Sequence, residues 1–225
     1  MRRIGILGGM GPEATILLMQ RVLAAVPARD DADHVPLIVH QNPQVPSRIA
    51  ALIEGTGESP GPALAAMARD LEAGGASALA MPCNTAHAWA DEIRAATPLP
   101  FLDMIALSAD ALAAAGVRRA GLLASPATRR AKVFDAPFAA RGLAPVHAED
   151  EAELLAVIRA VKADHDPAEL APRFERLARA LADRSDRLLV ACTEFSLLAP
   201  RLPADIAWTD SLDCLVSAIV AEAQR

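Results

Sequence analysis

The sequence predicts an α/β protein of two pseudo-symmetric lobes, each a mainly parallel sheet flanked by helices, with the active site in the cleft between them. Three observations predict it. Short apolar runs of strand length alternate with longer stretches of helical periodicity. The order of these elements restarts near the middle of the chain. An apolar strand that ends in Cys and leads into Thr occurs once in each half, as Met81-Pro82-Cys83-Asn84-Thr85 and as Val190-Ala191-Cys192-Thr193-Glu194.

Taken in order, Ile4-Gly5-Ile6-Leu7 reads as a buried strand, and Gly8-Gly9-Met10-Gly11-Pro12 as the turn after it. Pro12 suits the first helical position, and the helix runs from Ala14 to Val26. The turn fits the G-x-G-x-x-A pattern, but the second strand, Leu37 to His40, ends in Gln41-Asn42 rather than in the acid a dinucleotide ribose requires. A turn that lets a small anion approach the backbone is the preferred reading. Asn42-Pro43-Gln44-Val45-Pro46-Ser47-Arg48 forms a proline-stiffened loop at that strand's end. Ligands of parallel sheets bind beyond such ends, so Asn42 and Arg48 are well placed. A helix from Ala63 to Ala73, the Cys83 strand, a helix from Ala86 to Ala96 and a strand from Pro100 to Met104 complete the first series. The second series has a helix from Ile105 to Ala115, a strand from Ala120 to Ala124, and partial helix between Lys132 and Arg141. A strand from Leu143 to His147 and helices from Glu151 to Lys162 and from Pro167 to Leu181 follow. The Cys192 strand, a last strand from Asp205 to Trp208 and a closing helix from Leu212 to Glu222 end it.

A chain of 225 residues with 53% hydrophobic and 22% charged residues has the composition of a globular protein with a sizeable core. No apolar run reaches the length of a membrane span. The net charge of -6 argues against nucleic acid as a partner. Three cysteines make no disulfide framework, and Met1-Arg2-Arg3 enters a strand with no leader pattern, so a cytoplasmic protein is expected.

Each of the two strand-end thiols is expected at a helix start, where unpaired N–H groups favour an anion and lower a thiol pKa. Under a pseudo-twofold relation Cys83 and Cys192 face each other across one bound molecule. Two proton carriers on opposite faces of a carbon suit inversion of that carbon, one thiolate removing a proton while the opposite thiol delivers one. A hydrolase with one Cys and a His base leaves the second thiol without a role. Zinc on Cys83, His87 and Cys192 remains open but lacks a second matching pair of ligands. His87 reads as a partly exposed helix histidine, and Cys214 on the closing helix as a packing residue.

Gly8-Gly9-Met10-Gly11-Pro12 with Ala14-Thr15, Asn42-Pro43-Gln44, Met81 to His87 and Cys192-Thr193-Glu194 resemble the aspartate racemases of the aspartate/glutamate (Asp/Glu/hydantoin) racemase superfamily, over essentially the whole chain. The resemblance implies a cofactor-independent racemase of an acidic amino acid, aspartate first and glutamate second, with no metal and usually homodimeric. It makes Cys83 and Cys192 the paired acid/base catalysts. It places Asn84, Thr85 and Thr193 around the substrate α-carboxylate and amino group, and Glu194 beside Cys192 in proton management. It gives Arg48 and Lys162 the side-chain carboxylate, sets Met10, Asn42 and Ser125 in the pocket lining, and counts Thr128 among the substrate-binding residues.

By matching, residues 1–103 plus 209–225 form the first lobe, which carries Cys83, and residues 104–208 the second, which carries Cys192. Three departures bear on substrate choice: Ala191 in place of a glycine, Gln41 in place of an Asn, and Ser125-Pro126-Ala127-Thr128 in place of a turn richer in Thr and Gly. The alternatives on the same fold are isomerisation or decarboxylation of another small dicarboxylate, or hydantoin racemisation. A non-catalytic protein that closes on an acidic ligand is the alternative of another class.

Overall fold

Alternating buried runs set the strands. The computed structural model describes residues 1–163 and 165–225. Ile4–Gly8 (β1) is buried along its whole length and is followed by helix Pro12–Ala25 (α1), which has Pro at its start. Leu37–Gln41 (β2) pairs parallel with β1, Ile4 opposite Leu37 and Gly8 opposite Gln41. Helix Gly61–Ala73 (α2), strand Ala78–Ala80 (β3), helix Ala90–Ala96 (α3) and the short strand Phe101–Leu102 (β4) complete a parallel sheet of order β2-β1-β3-β4.

The second series runs helix Met104–Ala114 (α4), strand Arg119–Ala124 (β5), the short helices Pro126–Arg130 (α5) and Asp135–Ala139 (α6), and strand Ala144–His147 (β6). Helices Glu151–Lys162 (α7) and Pro167–Ala182 (α8), strand Arg187–Ala191 (β7), the single-turn helix Thr193–Ser196 (α9), strand Trp208–Asp210 (β8) and helix Ser211–Ala223 (α10) follow. This sheet has the order β6-β5-β7-β8, the first sheet's order repeated. The Cys-bearing strand ends, after β3 and β7, therefore occupy equivalent central positions in two like sheets.

Each sheet is covered on both faces, as parallel sheets require. Leu18 and Val22 of α1 pack on Ile4, Ile6, Ala78 and Ala80, while Leu64, Met67 and Leu71 of α2 pack on the other face with Leu7 and Leu79. In the second sheet Leu154, Val157 and Ile158 of α7 and Phe174 and Leu177 of α8 cover the face carrying Leu188 and Val190. The remaining cover is exchanged. α4 follows β4 of the first sheet, yet Ile105, Ala109 and Leu112 pack against Leu122 and Leu189 of the second. α10 follows β8 of the second sheet, yet Leu212, Leu215 and Ile219 pack against Ile4 and Ile6 of the first. Burial of those three side chains is worth about 1.5–3 kcal/mol each. Asp103 caps α4 through the Ile105 and Ala106 N–H groups, and Asp210 caps α10 through that of Leu212.

Several element boundaries differ from expectation. The stretch from Ala86 to Ala96 is not one helix: Thr85–Trp89 is a 3-10 turn, and Trp89 at φ -115°, ψ 24° separates it from α3. The last strand lies at Trp208–Asp210 rather than from Asp205 to Trp208, because the Ile206 N–H closes a turn on Pro203 and pairing begins only with Leu188 on the Ala207 carbonyl. Between Lys132 and Arg141 helix occupies only Asp135–Ala139, since Lys132 has φ +54° and breaks the run. The short helix α5 and a π-helical turn at Ala50–Glu54 were not read from the sequence.

Candidate active site

The carboxyl ends of β3 and β7 open on one cavity of about 480 Å³. Cys83 and Cys192 both line it, each only 7% exposed. Met10, Arg48, Asn84 and Thr85 of the chain's first half stand in its wall, with Ser125, Lys162, Thr193 and Glu194 of the second half. Ala191 is also a wall residue, at the end of β7. Lys132 is the one non-glycine residue with positive φ among the described residues, so Ala191 carries its methyl without backbone strain. The loop before Arg48 contributes Val45 and Ser47, and α7 contributes Ile158; these three were missed because nothing in an apolar or hydroxyl side chain alone marks it as a cavity wall.

Around Cys192 three side chains form a chain. The Cys192 thiol donates to Glu194 Oε2 at 2.9 Å, and Glu194 Oε1 accepts from Lys162 Nζ at 2.5 Å. Burial pushes the Cys192 thiol well above its ordinary pKa, and the Glu194 charge and hydrogen bond push the same way against Lys162. The expected lowering at a helix start is thereby corrected for Cys192. α9 spans only Thr193–Ser196, too short to develop a strong dipole, and a carboxylate sits in its first turn. Burial opposes the charge on Lys162, yet Glu194 holds its pKa above the usual value. Lys162 thus reaches the cavity already paired with an acid, which was not anticipated for a residue expected to hold a substrate carboxylate.

Around Cys83 the organising residue is His87. It is buried, not partly exposed as expected, and burial lowers its pKa. Its Nε2 accepts the Met104 N–H at 3.1 Å, so its Nδ1 carries the proton and donates to the Cys83 carbonyl at 2.8 Å. With both ring nitrogens engaged by backbone, His87 is a brace for the Cys83 turn and is not free to bind zinc. Among the described residues no group of three or more His, Cys, Asp or Glu is arranged to hold a metal ion. Asn84 is 3% exposed; its Nδ2 donates to Ser211 Oγ at 3.0 Å and its Oδ1 has no partner. Whichever way the amide is turned, one end is engaged by Ser211 and the other is buried without a partner.

Arg48 stands on the proline-stiffened loop with Nη1 donating to the Val45 and Pro46 carbonyls at 3.2 and 3.0 Å, which aims the guanidinium and leaves its other nitrogens for a ligand. Two expected site residues are not brought into the wall. Asn42 Oδ1 accepts the Gln44 N–H at 3.0 Å and shapes the loop. Thr128 is buried and donates to the Ser125 carbonyl at 2.7 Å. Ser125 caps α5, where Pro126 costs no hydrogen bond at the first helical position. The glycine turn also has a different use from the one expected. Gly9 has φ +93°, and a Cβ there would lie 2.4 Å from the Asn42 backbone carbon. The space over Gly9 is filled by the next loop, and the Gly9 N–H is taken by Thr15 Oγ1 at 2.9 Å, so that N–H is not open to an anion. Among the described residues no helix is long and apolar enough to cross a membrane.

Two like α/β halves bring one buried thiol each to a shared cavity, the two-lobed cleft that the sequence predicts. Residues 7–219 match the family model described as Asp/Glu/Hydantoin racemase, and the chain belongs to that family, and with it to the isomerases. The chain is similar to the Picrophilus torridus aspartate racemase, with 29% identity, 100% of this chain and 95% of that chain covered, and a TM-score of 0.91. It is 23% identical to the broad specificity amino-acid racemase RacX of Bacillus subtilis over 97% of this chain and 96% of that protein. The glutamate racemase isoform RacE1 of Bacillus anthracis shares the fold, with a TM-score of 0.70 at 17% identity over 99% of this chain and 82% of that one.

Proposed function

We propose that this protein racemises an acidic amino acid, aspartate before glutamate, by proton transfer between two thiols at the α-carbon. The observation that carries the reading is that Cys83 and Cys192 enter one cavity from opposite halves of the fold. One thiolate removes the α-proton, and the other thiol protonates the opposite face. The two thiols supply both proton transfers, and the reading assigns neither pyridoxal phosphate nor a metal to the site. The free end of the Asn84 amide, with Thr85 and Thr193, holds the α-amino and α-carboxylate groups. With both thiols protonated, Arg48, Lys162 and Glu194 are the charged wall residues, net one positive, which complements an amino dicarboxylate of net charge -1. The likeness to a protein described as an aspartate racemase favours aspartate.

A second reading, a broader range that includes neutral amino acids, is favoured by the likeness to a broad specificity racemase. The division into lobes 1–103 plus 209–225 and 104–208, a cytoplasmic location and a homodimeric assembly belong to the same proposal. The test is L-aspartate incubated with the purified protein in D2O and resolved by chiral chromatography. D-Aspartate carrying deuterium at the α-carbon as it first forms is expected. L-Aspartate and L-glutamate both left unchanged would refute the proposal, and turnover of neutral amino acids at a matching rate would favour the broader range.

A further inference from the structure

We propose that Asp210 and Ser211, at the start of α10, are positioning residues that set the spacing of the two thiols. The inference rests on the two-thiol reading above. Neither residue lines the cavity; they are 1% and 0% exposed. Yet each is bonded to one thiol turn. Ser211 Oγ accepts from Asn84 Nδ2 at 3.0 Å, and Asn84 is the residue after Cys83. Asp210 Oδ1 accepts from Ser196 Oγ at 2.9 Å, and the Ser196 N–H bonds back to the Cys192 carbonyl at 3.3 Å. Two adjacent residues thus hold a turn from each half of the molecule.

The junction is itself fixed. The Leu212 N–H donates to Asp210 Oδ1, and Arg21 of α1 donates to Asp210 Oδ2 at 2.7 Å and to the Ser196 carbonyl at 3.0 Å. Burying a carboxylate and a guanidinium is a poor way to gain stability, since apolar side chains of like volume often serve as well. It is a good way to fix geometry, because each bond has a direction. α10 carries the arrangement: it leaves the second sheet, packs on the first, and so registers one Cys turn against the other. Proton transfer at two opposed faces of one carbon tolerates little change in that spacing.

The test uses Ser211→Ala and Ser196→Ala in the full chain, with turnover of both enantiomers and of their α-deuterated forms. Losing one neutral hydrogen bond should lower kcat about 2- to 12-fold, with KM nearly unchanged in Ser196→Ala and raised in Ser211→Ala, which also loosens the Asn84 amide. Ser211→Ala should raise the substrate isotope effect with one enantiomer and lower it with the other, because only the Cys83 transfer is slowed. Ser196→Ala should do the reverse, and Ser211→Thr should restore the parent values. Isotope effects that shift equally for both enantiomers, or not at all, would overturn the proposal. If Ser211→Ala fails to fold, Ser196→Ala reads the same asymmetry from the other turn. Failure of the two-thiol reading itself is told apart by Cys83→Ala and Cys192→Ala, which would then keep racemising.

Discussion

Replacing Arg48 by Met should convert an acidic-substrate site into one with little charge preference. Arg48 and Lys162 are the two cations of the cavity wall, but Lys162 is bound to Glu194 at 2.5 Å while Arg48 has no acid partner among the described residues. In the proposed reading, selection for a side-chain carboxylate therefore falls on Arg48. A hydrogen bond to a charged group is worth about 1.5–3 kcal/mol, so kcat/KM for aspartate should fall about 10- to 150-fold. The guanidinium also braces its loop on the Val45 and Pro46 carbonyls, and that loss slows every substrate alike. Alanine, which lacks the side-chain carboxylate, measures the second effect alone. The assay is chiral chromatography of both substrates with parent and variant, and the quantity is the ratio of the two losses. A ratio near one would refute the assignment of Arg48; the same selective loss in Lys162→Met but not in Arg48→Met would show that the ion pair with Glu194 opens on binding.

Cys83→Ala and Cys192→Ala should each stop racemisation. Cys214→Ala should leave it intact, since that thiol lies outside the cavity wall and burial pushes its pKa to about 11; retained turnover in either of the first two variants would point to a one-base mechanism. In a background with Cys192 as the only cysteine, thiolate absorbance should titrate above the ordinary thiol range. Glu194→Gln should move it down, because two raising causes vanish while burial stays; an upward move or none would remove Glu194 from control of that thiol. His87, held below its ordinary pKa of 6.5, binds fewer protons folded than unfolded, so its share of stability is complete above pH about 6.5 and declines as pH falls. His87→Gln should cost about 1–3 kcal/mol at neutral pH and flatten the decline between pH 7 and 5 in urea titrations; a slope identical to the parent would mean that His87 takes up its proton alike in the folded and unfolded states.

Local pattern made much of this architecture readable. The helix expected from Glu151 to Lys162 is observed with those ends, because Asp150 caps it, acids fill its first turn and Leu154 and Ile158 mark its buried stripe. Apolar strands followed by polar turns located both thiols, since the strand ends of parallel sheets are where ligand groups gather. Long-range partners were not readable. A histidine in an Ala- and Trp-containing stretch gives no sign that its second nitrogen is taken by the Met104 N–H, 17 residues on. Lys162 reads as a free cation until folding sets it on Glu194. Nothing in the sequence around Arg21 signals that it reaches Asp210 near the far end of the chain. The glycine turn was misread for the same reason: which neighbour occupies the space over Gly9 is a property of the next loop, not of the turn.

The two halves repeat in order but have diverged where the chemistry differs. Two residues after Cys83 stands the neutral Thr85, and two residues after Cys192 stands Glu194, which accepts that thiol's proton in a hydrogen bond. The enantiomers of an amino acid have equal free energy, so a difference between the two thiols cannot shift the equilibrium between them. It decides instead which protonation state the free protein rests in. Burial and Glu194 favour the protonated form of Cys192, so in the two-thiol scheme this thiol starts as a proton donor rather than as a base. The enantiomer that presents its α-proton to Cys83 then finds its proton donor in place. Its mirror image must wait for the proton to be returned, through solvent or by turnover of the first. Mixing protein in excess with each enantiomer separately should therefore give a fast first turnover with one and a lag with the other; equal first turnovers would mean that the difference at Glu194 is offset around Cys83.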